Sequence, residues 1–264
     1  MHRLLVDAET LNEERAVLGK DAARHLKVVR PRDGEEFELF DGVGSSRIYR
    51  YRVARANGAE RSESGLWAAG SRDRRPVRSE TVTLFACITK GSRWDWTVEK
   101  ATELGVARIV PVLSGRTVVR IPEKERAAKR ERWRKIAEEA ARQSSALWLP
   151  EIAEPVEFGR ALELAGETVC FAGALVEPRP APLLAAVEAA FAGGRTPGNL
   201  SLFVGPEGDF TPEELAALLK VAVPASFGDL VLRAETAAIF GLTVLTAALD
   251  AARVRRSGIC APNA

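Results

Sequence analysis

The sequence predicts an α/β protein in which a small β-rich domain precedes a larger domain built on a mainly parallel sheet. Before residue 75, short apolar runs alternate with polar residues and are separated by turn signals. From residue 81 onward, β-branched apolar runs alternate with longer segments of helical periodicity, which is typical of a parallel sheet covered by helices on both faces. A chain of 264 residues is long enough for both domains to bury a core.

The N-terminal segment is predicted to form a small β-barrel over residues 1–75. Its four apolar runs are residues 4–6, 36–40, 47–53 and 66–68. The sequence 41–46 between the second and third runs, Asp-Gly-Val-Gly-Ser-Ser, predicts a hairpin turn. It lacks the third glycine and the following helix of a dinucleotide-binding fingerprint, which excludes that class. The charged segment 71–79, which contains Pro76, is predicted to be the boundary, so the second domain is expected over residues 76–256.

The second domain is predicted to alternate strands and helices in order. The predicted strands are 81–89, 108–113, 167–172, 199–204 and 230–232. A helix is predicted where apolar residues recur at helical spacing, at Trp94, Val98, Ala101 and Leu104, and a long helix has an apolar face of Trp133, Ile136, Ala137, Ala140 and Ala141. Ala-rich helices are predicted at 181–192 and 237–252.

Two loops near the end of the chain are the strongest functional signal. The first follows the apolar run 202–204 and has the sequence Gly205-Pro206-Glu207-Gly208, and the capping box Thr211-Pro212-Glu213-Glu214 predicts that a helix begins just beyond it. The second places Arg233 and Glu235 after the predicted strand 230–232. Charged residues at the carboxyl ends of strands in α/β sheets lie where ligands bind, so we expect the two loops to converge on one pocket. Taken singly, the first loop could be an ordinary strand-to-helix turn. The second loop, taken singly, could be explained by an ion pair between Arg233 and Glu235 that only fastens the helix.

Several spaced motifs, in order from about residue 2 to residue 250, resemble the RsmE family of ribosomal RNA uridine-N3 methyltransferases, within the SPOUT (trefoil-knot) superfamily. The matching motifs are Lys90-Gly91, Asp95-Trp96, residues 100–106, Arg132-Trp133, Ile136-Ala137, residues 139–141, Gln143-Ser144 and residues 150–152, with the two C-terminal loops. The resemblance implies a PUA-like RNA-binding barrel followed by a SPOUT domain with a deep trefoil knot. Sequence rules alone would not propose a knot.

The resemblance also implies S-adenosylmethionine as cofactor, held by three loops. The cofactor-binding candidates are Ala172, Gly173, Val204, Gly205, Glu207, Gly208, Phe227, Gly228, Leu230, Leu232, Arg233 and Thr236. Because uracil N3 is a weakly acidic imide, methyl transfer requires help with proton removal. The catalytic candidates are Arg233, to steady negative charge on a uracil carbonyl, and Glu235 or Glu207, to assist proton removal or to orient Arg233.

The RNA-binding candidates are Arg3, His25, Arg30, Lys90, Arg93, Lys100 and Gln143. The chain departs from the family pattern at three sites, one of them a pair of residues. Asp209 replaces a second glycine, Ala146 replaces a common Arg, and Asp229-Leu230 replaces Pro-Arg. These departures support an alternative function, a catalytically drifted RNA-binding protein of the same fold.

Composition excludes several other classes. Cys87, Cys170 and Cys260 follow no metal-ligand pattern, and with only two histidines no metal site is expected. No apolar run is judged long enough to span a membrane, and a cytoplasmic protein is expected. The net charge is only +2, but arginines that could contact phosphate cluster in one segment, at positions 47, 50, 52, 55, 61, 72, 74, 75 and 78.

The predicted function is S-adenosylmethionine-dependent methylation of N3 of one uridine in 16S ribosomal RNA, on the assembled small subunit. A methyltransferase that acts on transfer RNA is a further alternative. The resemblance implies a homodimer, and the apolar C-terminal helix offers a face for it, although the same face could be plain core.

Overall fold

The structure is a computed structural model that describes residues 1–54, 56–57, 60–61, 64–75, 80–192 and 198–256. The chain forms two compact units. The first contains Met1–Val77 and Glu138–Leu149, and the second contains Arg78–Ala137 and Pro150–Ala264. The return of residues 138–149 to the first unit was not predicted from the sequence. Arg55, Arg78 and the side chain of Arg61, from the predicted basic segment, and Cys260 lie outside the described part of the chain.

The first unit is built on a four-stranded mixed sheet. Its elements are β1 (His2–Leu5), a 3-10 turn (Thr10–Asn12), α1 (Lys20–Val29), β2 (Glu36–Phe40), β3 (Ser45–Arg52), β4 (Ala56–Asn57), β5 (Glu60–Arg61) and β6 (Gly65–Arg74). The sheet order is β1-β2-β3-β6, with β1 parallel to β2 and the other pairs antiparallel. Among the described strands, β1 and β6 are the two edges of an open sheet, so the predicted closed barrel is not shown. The predicted boundary segment also begins too early, because residues 71–74 continue β6.

The predicted turn between β2 and β3 is confirmed. Asp41 Oδ1 accepts hydrogen bonds from the backbone N–H groups of Val43 and Ser45, both at 2.9 Å. Gly44 has φ +103°, and an added Cβ would lie 2.2 Å from the Trp148 ring, so only glycine fits this position. The core beneath this sheet includes the fully buried Phe37, Leu39 and Tyr49.

The second unit is built on a parallel sheet, as predicted. Its elements are β7 (Thr81–Cys87), α2 (Ser92–Glu103), β8 (Arg108–Leu113), α3 (Glu123–Ser144, whose end belongs to the first unit), β9 (Glu151–Ile152), β10 (Val156–Glu157), α4 (Phe158–Ala165), β11 (Val169–Gly173), α5 (Leu183–Ala190), β12 (Asn199–Val204), α6 (Pro212–Leu218), β13 (Ala222–Ala225) and α7 (Ala234–Arg256). The order is β10-β8-β7-β12-β11-β13, β9 pairs with β8, and these pairings are parallel.

Helices cover both faces of this sheet. On one face Leu84 of β7 and Leu202 of β12 pack with residues of α2, α3, α5 and α7. On the other face Phe85 and Phe203, one position further along the same strands, pack with α4 and α6. Because side chains of a strand alternate between faces, runs buried on both sides are apolar throughout, and this is why these strands were visible in the sequence.

One prediction about the C-terminal segment is wrong. Residues 230–232 are not a strand. Leu230 and Val231 are about 80% exposed in a loop, and the last strand in the described part of the chain is β13, which ends at Ala225. No apolar run was expected to be long enough to span a membrane, whereas among the described residues α7 is long and apolar enough by length and composition alone. Leu242, Leu245 and Leu249 of α7 are buried in the core over the sheet, as in the core helix of a globular domain.

Candidate functional site

A cavity of about 400 Å³ lies at the carboxyl ends of three adjacent strands of the second unit, β12, β11 and β13. Three loops form its walls. We call residues 174–182 after β11 the first loop, residues 205–211 after β12 the second loop, and residues 226–233 after β13 the third loop. Because the strands are parallel, their carboxyl ends meet at one edge, where α/β sheets bind ligands. The volume lies in the range of small-molecule sites.

Glycines allow aromatic side chains to approach the backbone of these loops closely. An added Cβ at Gly173 would lie 2.7 Å from the Phe227 ring, and one at Gly205 would lie 3.0 Å from the Phe210 ring. Gly228 has φ +114°, which L side chains rarely adopt. Phe227 also contacts Phe240 of α7, with ring centroids 5.5 Å apart. The packed ring of Phe227 therefore forms an apolar wall of the cavity on the side of α7.

The first and third loops are joined by Arg179. Its Nη1 donates to Asp229 Oδ1 at 2.6 Å, its Nε donates to Ser226 Oγ at 3.1 Å, and its Nη2 donates to the carbonyl of Gly228. Asp229, one of the positions at which a departure was expected from the resemblance, therefore has a partner in Arg179.

The second loop is braced from outside the cavity. Arg93 of α2 donates to Glu207 Oε1 at 3.1 Å, and Arg116 donates to the carbonyl of Gly208 at 2.9 Å. The predicted capping box is present, since Thr211 Oγ1 accepts from the N–H of Glu214 and the Glu214 carboxylate accepts from the N–H of Thr211. These contacts fix where the loop leaves β12.

Asp209 adopts a left-handed backbone conformation that glycine accommodates most readily. Its φ is +58°, a conformation that aspartate tolerates better than most side chains. Its Oδ1 accepts a hydrogen bond from the N–H of Phe210 at 2.8 Å. One carboxylate oxygen is therefore directed to the backbone of its own loop.

The charges that line the cavity are mainly negative. Glu177, Glu207, Asp209 and Asp229 contribute four carboxylates, and Arg179 contributes the one guanidinium among the described lining residues. Such a lining favours a ligand with net positive charge.

The cysteines of the sheet supply no nucleophile. Burial raises the pKa of the Cys87 thiol to about 12 and that of Cys170 to about 11, so both are neutral at physiological pH. Within the described residues, no group of three or more His, Cys, Asp or Glu side chains could hold a metal ion.

Most predicted cofactor-binding residues line this cavity. Those that line it are Gly173, Val204, Gly205, Glu207, Phe227, Gly228, Leu230 and Leu232. Four others are not among its lining residues, namely Ala172, Gly208, Arg233 and Thr236. Ala172 is fully buried on the α4 side of the sheet, because its side chain points to the face opposite α7. Arg233 and Thr236 are exposed at the start of α7.

The three catalytic candidates lie in different local environments. Glu207 is exposed and paired with Arg93. Arg233 is exposed immediately before α7, where its carbonyl accepts the N–H of Ala237. Glu235 is half-buried in the first turn of α7, and its Oε2 is buried without a hydrogen-bond partner. An unpaired buried carboxylate oxygen costs free energy and is a ready hydrogen-bond acceptor.

Comparison with known proteins gives one consistent result. A family model described as an RNA methyltransferase domain matches residues 76–246. Ribosomal RNA small subunit methyltransferase E of Synechocystis sp. is 30% identical over 94% of this chain and 78% of its own length. The enzyme of the same name from Mycobacterium tuberculosis is 32% identical over 89% of this chain and 88% of its own. The chain belongs to the RsmE family of RNA methyltransferases.

Solved structures agree with the RsmE assignment. Ribosomal RNA small subunit methyltransferase E of Neisseria gonorrhoeae, bound to S-adenosylmethionine, matches 94% of this chain and 97% of its own, with a TM-score of 0.73 and 26% identity. A Legionella pneumophila protein in complex with the same cofactor matches 94% of this chain and 98% of its own, with a TM-score of 0.76 and 26% identity.

One of the RNA-binding candidates carried over from the RsmE resemblance, Arg3, is buried. Arg3 is only 7% exposed, and its guanidinium donates to Glu38 and to the carbonyls of Ala141 and Ala146 within the first unit. It also lies 4.3 Å from the centre of the Phe40 ring. Its Nε and Nη1 donors are used inside the unit, and its Nη2 is buried without a hydrogen-bond partner. A side chain this deeply buried does not support a direct RNA contact.

The other RNA-binding candidates are more accessible. His25 is half-buried on α1, and Arg30, at φ +53°, is exposed at its C-cap. Gln143 is exposed near the end of α3. In the second unit, Lys90 is exposed just before α2, and Arg93 is exposed in the first turn of that helix. Lys100 is committed to neighbouring carboxylates, since Glu103 and then Glu99 raise its pKa through hydrogen bonds of 2.8 Å.

Sequence reasoning missed Arg179, Ser226 and Arg116, which hold the loops together. Arg179 stands between two prolines in a segment with no apolar period, so the pattern around it predicted only a loop.

Proposed function

We propose that this protein transfers a methyl group from S-adenosylmethionine to N3 of a specific uridine in 16S ribosomal RNA, on the assembled small subunit in the cytoplasm. The observation that supports this most directly is the glycine-rich, negatively lined cavity at the carboxyl ends of β12, β11 and β13. The position and the lining of this cavity support S-adenosylmethionine as its ligand. The match to an RsmE structure bound to S-adenosylmethionine supports the same ligand.

The residues of the cavity fit this cofactor. The Phe227 wall and the close backbone of Gly173 and Gly228 suit a flat base and its ribose. S-adenosylmethionine has two positively charged groups, a sulfonium and an ammonium, and one negatively charged carboxylate. Its net positive charge therefore suits the mainly acidic lining of the cavity. When bound, it supplies an electrophilic methyl group.

Arg233 and Glu235 are the residues proposed to act on the uracil. As the imide N3 loses its proton, negative charge spreads to the neighbouring carbonyl oxygens, which the exposed guanidinium of Arg233 would stabilise. The partnerless Oε2 of Glu235, two residues further on, supports this carboxylate as the group that takes the N3 proton or orients Arg233. Glu207 is the weaker candidate for proton removal, because its Oε1 already accepts a hydrogen bond from Arg93.

The RNA itself is proposed to be held by both units. The first unit would act as a PUA-like RNA-binding domain, which its exposed Arg30 and Gln143 support. Lys90 and Arg93 in the second unit would contact phosphates near the cavity.

The second unit is proposed to contain the trefoil knot of the SPOUT superfamily and to form a homodimer. Support for the knot is that β12 lies between β7 and β11, two strands that precede it in the chain. Support for the dimer is that Phe240 of α7 and Leu230 and Val231 of the third loop expose apolar surface beside the cavity.

The experiment that tests this function measures transfer of labelled methyl from S-adenosylmethionine to unmodified small subunits, naked 16S RNA and bulk transfer RNA. We expect label at one uridine of the small subunit, mapped as a reverse-transcription stop. Label on transfer RNA alone would show that transfer RNA, and not 16S ribosomal RNA, is the substrate. No label on any RNA would refute the proposed methyltransferase activity.

The role of Arg233 is tested in the same assay. Arg233→Ala should lower kcat about 100-fold, the usual scale for losing one donor to a developing oxyanion. A matched control is Arg160→Ala, which removes an exposed arginine that pairs with Glu163 on α4. A rate for Arg233→Ala within about threefold of wild type, worth less than about 1 kcal/mol, would contradict the proposed role.

A further inference from the structure

Arg179 is a residue of the first loop whose three hydrogen bonds reach the third loop. They end on Ser226 Oγ, Asp229 Oδ1 and the carbonyl of Gly228. The two loops continue from neighbouring strands, β11 and β13, and both line the cavity. One guanidinium therefore connects two walls of the same site.

Beyond Ser226 and the packed ring of Phe227, the third loop has few other attachments. Backbone hydrogen bonds join Ser226 to Ala181 and Leu183, at 2.9 and 3.0 Å. Between residues 227–230 and the first loop, the hydrogen bonds found in the described part of the chain are those of Arg179 to Gly228 and Asp229. Leu230 and Val231 are about 80% exposed and contribute little packing.

We infer that Arg179 is a positioning residue for the cofactor, which holds the third loop in its binding conformation before the cofactor arrives. This inference rests on the proposed function. A loop that is already ordered does not lose conformational entropy on binding, so Arg179 contributes to affinity through preorganisation. The Arg179 side chain is 52% exposed and that of Asp229 is 90% exposed, so solvent screens their ion pair. The bonds to Gly228 and Ser226 should therefore carry most of the effect.

The test compares Arg179→Ala, Arg179→Lys and Asp229→Asn by calorimetric titration with S-adenosylmethionine and S-adenosylhomocysteine. Arg179→Ala should raise both Kd values about tenfold, the scale expected for losing the preorganisation of one loop. Arg179→Lys keeps the charge but not the planar fork, so its Kd should lie between those of wild type and the alanine variant. Asp229→Asn should raise Kd only about twofold, because the ion pair is screened.

Two further readouts separate positioning from a general structural role. With saturating cofactor, kcat of Arg179→Ala should stay within about twofold of wild type, since Arg179 is not assigned to the reacting atoms. In the cofactor-free protein, amide hydrogen exchange should accelerate in residues 227–232 and stay unchanged in the sheet. The control Arg160→Ala should change none of these quantities.

The inference is overturned if Arg179→Ala binds the cofactor with the wild-type Kd and shows unchanged exchange in the third loop. It is equally overturned if Kd is unchanged but kcat falls, because Arg179 would then act in the chemical step. Failure of the wild-type protein to bind S-adenosylmethionine would refute the proposed function and with it the role of Arg179 toward this cofactor. Exchange in the third loop would still report whether Arg179 orders it.

Discussion

Replacing Gly173 with alanine should close part of the cavity by displacing Phe227. The added Cβ would lie 2.7 Å from Cε2 and 2.8 Å from Cζ of the ring, whereas ordinary contact begins near 3.4 Å. The ring must therefore move by about 0.7 Å to reach ordinary carbon contact. Phe240 and Gly241 also lie close to this ring, and Phe227 lines the cavity, so we expect the ring to move into the cavity.

The cost of this change follows from overpacking. Inserting one methyl group into a well-packed site destabilises a protein by about 1 to 3 kcal/mol, and urea unfolding should show a loss of that size. A ring that moves into a cavity of about 400 Å³ also removes room for the ligand. We therefore expect the Kd for S-adenosylmethionine, measured by calorimetry, to rise about tenfold, or about 1.4 kcal/mol.

Two further variants make the result decisive. Phe227→Leu combined with Gly173→Ala should recover part of both losses, because the smaller side chain vacates the space that the methyl group needs. Gly159→Ala is the matched control, since nothing lies within 4 Å of its Cβ in α4, and the change should stabilise the helix by up to about 1 kcal/mol. Wild-type affinity in Gly173→Ala, or no recovery in the double variant, would refute the steric argument.

Two more predictions concern RNA binding and the thiols. Lys90→Ala should weaken binding to small-subunit RNA and reduce the slope of log K against log salt by about one, measured by filter binding, and an unchanged slope would exclude a phosphate contact. Cys87 and Cys170 should react with a thiol reagent at pH 8 only after unfolding, since both are buried with raised pKa values. The unfolded state loses these thiol protons at a lower pH than the folded state does, so the free energy of unfolding should fall as the pH rises above 9. Rapid labelling of the thiols in the native protein would contradict their burial.

The parts of the fold that local pattern specifies were predicted closely. The bounds of β8 and β12 match the predicted strands, because each is an apolar run buried on both faces and bounded by polar or loop residues. The start of α6 was equally clear, since Thr211 and Glu214 satisfy backbone N–H groups of that turn and Pro212 has none to satisfy, all within four residues. Such local signals require no knowledge of the rest of the chain.

The missed features depend on contacts between distant residues. Arg3 was predicted to bind RNA, but it is buried because it bonds to carbonyls about 140 residues away. The run 230–232 was predicted to be a strand from three apolar residues, which is too short to show any period. Its exposure is decided by its place at the rim of a cavity that three separate loops build. The same holds for Arg179, whose partners lie about 50 residues further along the chain.

The place of β12 in the sheet has a consequence for how the chain folds during synthesis. Its ladder with β7 pairs Asn199 with Thr81, and it separates β7 from β11. Until residue 204 has left the ribosome, β7 and β11 each present an unpaired edge, and such edges are prone to aggregation. Pairing across so many residues also makes folding slow, since the loop between the strands must close first. Nascent chains stalled before residue 199 should therefore depend on chaperones far more than chains released after α7.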